Sequence, residues 1–254
     1  MNTFKITIKD KVAILTLDRG KSNAINAEMV SELTDMIRNI QADGSIGGLI
    51  LTGKENFFSA GLDLIELYNY NEIEIKDFWG NFLTLIKTAG SFPKPMIAAI
   101  NGHSPAGGCV LALCCDYRLM AEGKFIIGLN EVPVGIIVPD SIFNLYAFWL
   151  GKPLAYQFLL EGKLMTPDEA LQYKLVNEVV NSSSILTLAE RQIRKYLQFD
   201  WTTWQQSKLN MRHELIQQLS KDQSETLDIM LKQWWSPSSR AIMKTIINNL
   251  QKKS

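Results

Sequence analysis

Two short turns built from small residues carry most of the chemistry legible in this chain. One is Asn101-Gly-His-Ser-Pro-Ala-Gly-Gly-Cys109, which follows the strand-like run Met96–Ile100 and opens an apolar helix near Gly107. The other is Phe58-Ser-Ala-Gly-Leu-Asp-Leu64, which follows the strand-like run Gly48–Thr52. Glycine lets a backbone come close to a ligand. A helix start leaves N–H groups unpaired and carries partial positive charge. Such a turn can cradle an oxyanion. Two of them offer two converging N–H groups, which is what an enolate or a tetrahedral oxyanion needs.

Other reactive residue types have a plainer reading. His103 lies in the first turn, but no Ser-His-Asp order or metal-ligand spacing accompanies it, and His213 is the only other histidine. Both are read as structural, and no metal site is expected. Cys109 stands at a helix start, where thiols can be activated, yet its neighbours are apolar. With Cys114 and Cys115 it makes three, an odd number with two adjacent, which points to reduced, buried thiols. Asp63 and Asp116 read as helix-capping or hydrogen-bonding residues. Phe78, Trp79 and Phe82 have the spacing of a packed helix face.

The elements that must hold these turns follow from periodicity. Phe4–Lys9 and Val12–Leu17 alternate as a hairpin around Asp10-Lys11. Asn26 caps a helix whose Met29, Val30, Leu33, Met36, Ile37 and Ile40 share one face and which stops near Asp43-Gly44. A helix over 72–88 precedes Pro93 and Pro95. A short strand over 125–129 runs into Asn130-Glu131. From Ser141 onward the pattern is helical, apart from a strand over 175–180. Three strands thus end in a Gly- or Ala-containing turn, at Ser59, Ser104 and Leu129. Four tryptophans after residue 180, Trp201, Trp204, Trp234 and Trp235, are more aromatic surface than a solvated tail carries, so that region is expected to pack between subunits.

Composition sets the outer limits. The chain has 254 residues, 46% hydrophobic and 20% charged, enough for one sizeable core. Its net charge is zero and its sequence pI is about 6.7. No basic excess exists to displace counterions, so no nucleic-acid partner is expected. No apolar run reaches membrane-spanning length, so no membrane partner is expected. The first eleven residues lack the apolar core of a signal peptide, and Gln-Lys-Lys-Ser at the end is no peroxisomal address. A cytoplasmic protein is the expectation.

Taken together, Phe58-Ser-Ala-Gly-Leu-Asp63, Asn101-Gly102, Ala106-Gly-Gly-Cys109, Cys115-Asp116 and Gly128-Leu-Asn-Glu-Val-Pro-Val-Gly135 resemble the crotonase superfamily of enoyl-CoA hydratases and isomerases. The resemblance runs in order over roughly residues 12 to 180. Within the superfamily these motifs are most similar to the mitochondrial-type Δ3,Δ2-enoyl-CoA isomerases. The resemblance implies an α/β fold, a spiral of β-β-α units with a helical C-terminal trimerisation region. Residues 1–180 would be the acyl-CoA-binding catalytic core and 181–254 the oligomerisation region of a homotrimer or a dimer of trimers. It implies an acyl-CoA thioester substrate and no metal or redox cofactor, coenzyme A being part of the substrate.

The site residues it implies are few. The thioester oxygen would lie between the N–H groups of Ala60 and Gly107. Gly61, Leu62, Asp63, Leu64, Lys21 and Ala24 would bind substrate, the last two within Arg19-Gly-Lys-Ser-Asn-Ala24, a segment similar to the family's nucleotide-contacting loop. Charge on a solvated loop is the alternative reading of Arg19 and Lys21. Many hydratases of the superfamily hold two glutamates over the substrate. Here one position is Val110 and the other is Glu131. Hydration is helped by two carboxylates, whereas moving a double bond from C3 to C2 can use one. Glu131 is flanked by Leu129 and Val132, an apolar setting that favours a raised pKa. The expected activity is therefore Δ3,Δ2-enoyl-CoA isomerisation with Glu131 as proton shuttle. A single-glutamate hydratase, decarboxylation or thioester hydrolysis on the same hole, and a silent acyl-CoA-binding subunit are the alternatives.

Overall fold

Strands β1 (Phe4–Lys9) and β2 (Val12–Leu17) form the expected hairpin, and Asp10 and Lys11 turn it with φ of 47° and 67°. Two left-handed residues in a row match the twist of the flanking strands. The computed structural model describes residues 2–252. Asn26 caps α1 (Ala27–Ala42) by accepting from Met29 N–H at 3.0 Å, and the predicted apolar face of that helix is buried. The chain continues through β3 (Gly48–Thr52), β4 (Asn56–Phe57), α2 (Leu64–Leu67), α3 (Glu72–Gly90), β5 (Met96–Ile100), β6 (Gly102–Pro105), α4 (Gly107–Cys114), β7 (Tyr117–Ala121) and β8 (Ile127–Gly128). Next come α5 (Asp140–Leu150), α6 (Lys152–Glu161), β9 (Leu164–Met165), α7 (Pro167–Gln172) and β10 (Glu178–Val180). Five helices follow: α8 (Ile185–Leu197), α9 (Trp201–Met211), α10 (His213–Ser220), α11 (Ser224–Trp234) and α12 (Pro237–Gln251).

The strands make two sheets. One has six strands in the order β1-β2-β3-β5-β7-β10, parallel beyond the opening hairpin. The other has the order β4-β6-β8-β9, with β4, β6 and β8 parallel. Each β-β-α unit gives one strand to each sheet, which is the spiral that the resemblance implies. Side chains alternate across the large sheet. Leu49, Leu51, Met96, Ala98 and Ile100 face the core under α1, α3 and α4, while Ile50, Ile97 and Ala99 face Ile185, Ala189 and Ile193 of α8. Helix α8 lies close because Gly48 is opposite it; a Cβ there would sit 2.7 Å from the Ile193 Cδ1.

Several expectations are corrected. Residues 102–105 are a strand, β6, where small residues suggest a loop. Strand β7 follows the cysteine-bearing helix unannounced, because only two residues, Cys115 and Asp116, separate them. Helix α8, just past residue 180, covers one face of the main sheet. The tryptophans are largely internal: Trp234 is 3% exposed, Trp204 and Trp235 are half-buried, and only Trp201 is exposed, at 41%. Phe78, Trp79 and Phe82 are core residues, as their spacing predicts.

A buried ionic cluster fastens α9 to the end of α4 and the start of β5. Asp116 accepts from Met96 N–H and from Lys208 Nζ, both at 2.8 Å, and pairs with Arg212 at 3.2 Å. Arg212 also donates to the carbonyls of Cys114 (2.8 Å) and Cys115 (3.1 Å), which end α4. Desolvation lowers the Lys208 pKa to about 8, so the cation depends on its partner. Asp116→Asn leaves two buried cations uncompensated. It is expected to cost about 3–5 kcal/mol in denaturant unfolding; an unchanged midpoint would show the cluster to be energetically idle.

Candidate active site

The small sheet stacks three turns one over another. Strands β4, β6 and β8 each run straight into one of the small-residue segments noted in the sequence. Phe58 and Ser59 donate to the His103 carbonyl at 3.0 and 3.2 Å; Ser104 donates to Ile126 and Ala106 to Gly128, both at 2.8 Å. Small side chains are required where the turns touch. A Cβ on Gly61 would lie 2.9 Å from the Ala106 Cβ and 3.2 Å from the Gly107 nitrogen, and one on Gly108 would lie 2.5 Å from the Ser59 carbonyl. Ala106 itself holds φ 49°, ψ −123°, a conformation that a residue with a Cβ adopts only under constraint. That conformation starts α4 abruptly, with no side-chain cap, and leaves its first N–H groups unspent.

Counting backbone donors narrows the candidates for an oxyanion site. Ala60 N–H donates to the Ser22 carbonyl at 2.9 Å, so it is already engaged. Gly61 N–H meets the Ser59 hydroxyl at 3.2 Å, and Asp63 N–H meets the Ile25 carbonyl at 2.8 Å. Among the described residues, Leu62 N–H and Gly107 N–H have no acceptor. The two residues adjoin, since a Cβ on Gly107 would come 3.3 Å from the Leu62 Cδ2. The expectation for Gly107 is consistent with this geometry. The one for Ala60 is corrected to Leu62, two residues on. The acceptor that occupies Ala60 lies 38 positions upstream, beyond the reach of local sequence reasoning.

Glu131 lies in the segment after β8, within electrostatic reach of Cys109 in α4. It is 6% exposed, and its Oε2 is buried without a hydrogen-bond partner. Desolvation raises its pKa to about 7. Its own carbonyl accepts from Val134 and Ile136, at 3.1 and 3.0 Å, which winds the following residues into a tight turn. Cys109 and Tyr146 are raised chiefly by burial and further by the Glu131 charge. The Tyr146 hydroxyl is buried and unpartnered, and nothing in the periodicity of α5 singles it out. Val110, fully buried in α4, provides no second carboxylate.

The remaining candidates divide into structural and open. Asp63 caps α2 by accepting from Glu66 N–H at 3.0 Å, and it binds Arg19 at 2.7 Å. Arg19 also pairs with Glu66 and donates to the Ala24 carbonyl, both at 2.8 Å, so neither it nor that carbonyl is free. Leu64 opens α2 and packs on the core. Lys21 is exposed, with no ion pair among the described residues. His103 is wedged between the rings of Phe57 and Phe125, 5.2 Å from each, and burial lowers its pKa. His213 lies at the surface against Gln217. The three cysteines are free and buried. An apolar cavity of about 500 Å³ opens beside the Glu131 turn, lined by Val132, Ile136, Phe143 and Leu159 among others. No helix among the described residues is long and apolar enough to cross a membrane.

Comparison with known proteins agrees with this fold. The pattern of the enoyl-CoA hydratase/isomerase family matches residues 7–247. The chain is 37% identical over 212 residues to enoyl-CoA delta isomerase 1, mitochondrial, of Mus musculus, covering 83% of this chain and 73% of that protein. It is 32% identical over 211 residues to the probable enoyl-CoA hydratase, mitochondrial, of Dictyostelium discoideum, covering 82% and 75%. The crystal structure of human mitochondrial delta3-delta2-enoyl-CoA isomerase superimposes with a TM-score of 0.95 at 27% identity, over 100% of both chains. These relatives are mitochondrial by name, so they add nothing to the cytoplasmic expectation. The family pattern spans nearly the whole chain, and the β-β-α spiral superimposes on a solved isomerase over its full length: the chain belongs to the enoyl-CoA hydratase/isomerase family and is an enzyme with the crotonase fold.

Proposed function

We propose that this enzyme is a Δ3,Δ2-enoyl-CoA isomerase. The observation that carries the reading is one buried, partnerless carboxylate, Glu131, with Val110 at the position where a second would favour hydration. The thioester oxygen accepts from Leu62 and Gly107 N–H. Glu131 takes a proton from C2, the electrons spread over the thioester and the C3–C4 double bond as a dienolate, and the same carboxyl returns the proton at C4. No electrons enter or leave, so the reaction needs no redox cofactor, and with two N–H donors on the enolate oxygen this reading invokes no metal. Lys21, exposed and without an ion pair among the described residues, is suited to a coenzyme A phosphate.

Turnover of 3-enoyl-CoA against 2-enoyl-CoA by the purified protein tests this. Isomerisation is expected to exceed hydration. Val110→Glu is expected to raise hydration modestly, by supplying a second carboxylate. Dominant hydration by the unaltered protein would instead favour a single-glutamate hydratase, the activity in the name of the Dictyostelium relative. No turnover of either would favour a silent acyl-CoA-binding subunit. A solvated chain has little reason to expose Tyr156 (63%), Leu160 (54%) and Met211 (74%), so these support assembly as a homotrimer or a dimer of trimers. Light scattering at micromolar concentration should return a multiple of three; a clean monomer would overturn that assembly.

A further inference from the structure

The C-terminal helix α12 is fastened at one point to both halves of the site. Ser239 is fully buried; its hydroxyl donates to the Gly135 carbonyl at 2.9 Å and accepts from Gln233 at 2.8 Å. Gly135 ends the turn that Glu131 begins, since Gly135 N–H binds the Val132 carbonyl and Ile136 N–H binds that of Glu131, both at 3.0 Å. The contact is backbone against helix. A Cβ on Gly135 would stand 3.3 Å from the Ser239 hydroxyl and 3.4 Å from its Cα, and φ there is +81°.

The next residue, Arg240, reaches the other way. Its Nη2 donates to the Tyr68 carbonyl at 2.9 Å, and its guanidinium lies over the Tyr68 ring at 3.4 Å and the Trp235 ring at 4.9 Å. Tyr68 closes α2, whose capping residue Asp63 directly follows Leu62. No hydrogen bond joins the Glu131 turn to α2 directly among the described residues. Two consecutive side chains of one helix therefore bridge the base-bearing turn and the element that begins at the oxyanion donor.

We propose that Ser239 and Arg240 are positioning residues that set the placement of the Glu131 carboxylate relative to the Leu62 and Gly107 donors; this rests on the isomerase reading. A single carboxyl must reach C2 and then C4 of one immobilised dienolate. A base turn that tilts against the hole can still remove the C2 proton and yet fail to deliver it to C4. Misplacement of this kind costs up to about a hundredfold in rate.

The test is made in deuterated water with 3-enoyl-CoA, following C2 exchange and the double-bond shift in one sample. Their ratio does not depend on how much enzyme is folded, so a purely structural role leaves it fixed. Arg240→Met keeps an unbranched stem between the two rings but loses the bond to Tyr68. It is expected to lower kcat about tenfold to a hundredfold, with KM within about threefold, and to raise the exchange-to-shift ratio about tenfold. Arg240→Lys should restore part of both. Ser239→Ala, a smaller change, should move the ratio the same way and serves if Arg240→Met does not fold. A ratio unchanged in Ser239→Ala and in the folded Arg240 variant overturns the proposal while leaving the isomerase reading intact. An unaltered enzyme that neither exchanges nor shifts removes the reading itself, and the proposal with it.

Discussion

Glu131→Gln is expected to lower isomerisation by at least about a hundredfold while leaving acyl-CoA affinity similar, because the amide keeps the shape and loses the proton acceptor. Nothing else titratable is placed to substitute: the Cys109 and Tyr146 protons are held more tightly by burial. In the unaltered enzyme, kcat/KM should rise with pH and level off above about 7, where desolvated Glu131 becomes ionised. The same burial sets the sign of a stability effect. The folded pKa of about 7 exceeds the ordinary value of 4.5. Below 4.5 the carboxyl is protonated in both states; between 4.5 and 7 only the unfolded chain ionises readily, and stability is lost as pH rises. Glu131→Gln should therefore be the more stable protein at pH 8, by on the order of 1–3 kcal/mol, with the gain gone at pH 4. Melting curves at the two pH values read this directly. A variant that retains full activity would contradict the assignment of the base, whatever its melting temperature.

The second large effect is expected at Gly107. The donor is a backbone N–H, so it can be spoiled only by displacing it. A Cβ at Gly107 meets the Ile25 Cδ1 at 3.1 Å and the Leu62 Cδ2 at 3.3 Å, both tips of flexible side chains. Gly107→Ala is accordingly expected to fold, with a small rate penalty. The branched Gly107→Val must push the Leu62 turn aside and splay the two donors. Loss of one oxyanion donor typically costs about a hundred- to a thousandfold in kcat, and a loss of that size is expected here. Circular dichroism separates the effect from unfolding. Gly108 is the wrong residue for this test, because a Cβ there would strike the Ser59 carbonyl at 2.5 Å. An active, folded Gly107→Val would argue that the thioester oxygen sits elsewhere.

Local rules read the frame well where a residue's partner is near in sequence. The bounds of β3 and β5, the Asn26 cap and the start of α4 all follow from spacing and capping chemistry within a few residues. Glu131 stands out through its place between Gly128 and Gly135 in the family pattern; the residue alone reads as a surface carboxylate. The failures share one cause, which is that a distant partner decides the outcome. Residues 102–105 become a strand because β4 and β8 lie on either side. Ala60 loses its N–H to Ser22, and the tryptophans of the tail are covered by helices that periodicity alone does not place. Ser239 and Arg240 carry no signature at all, since an isolated serine and arginine on an amphipathic helix read as solvent-facing.

The three thiols lie on or immediately after α4, whose first turn carries the Gly107 N–H. Burial lifts Cys114 to about 12 and the other two further. A thiolate is the form that attacks maleimides, disulfides and peroxide, so none of the three can react in the closed protein. Reaction must wait for α4 to separate from its surroundings. Thiol capture in this enzyme is therefore a clock for loss of the active-site scaffold, its rate following the population of the opened form when reclosing is fast. Bound acyl-CoA, by favouring the closed form, should slow that clock in proportion to its occupancy.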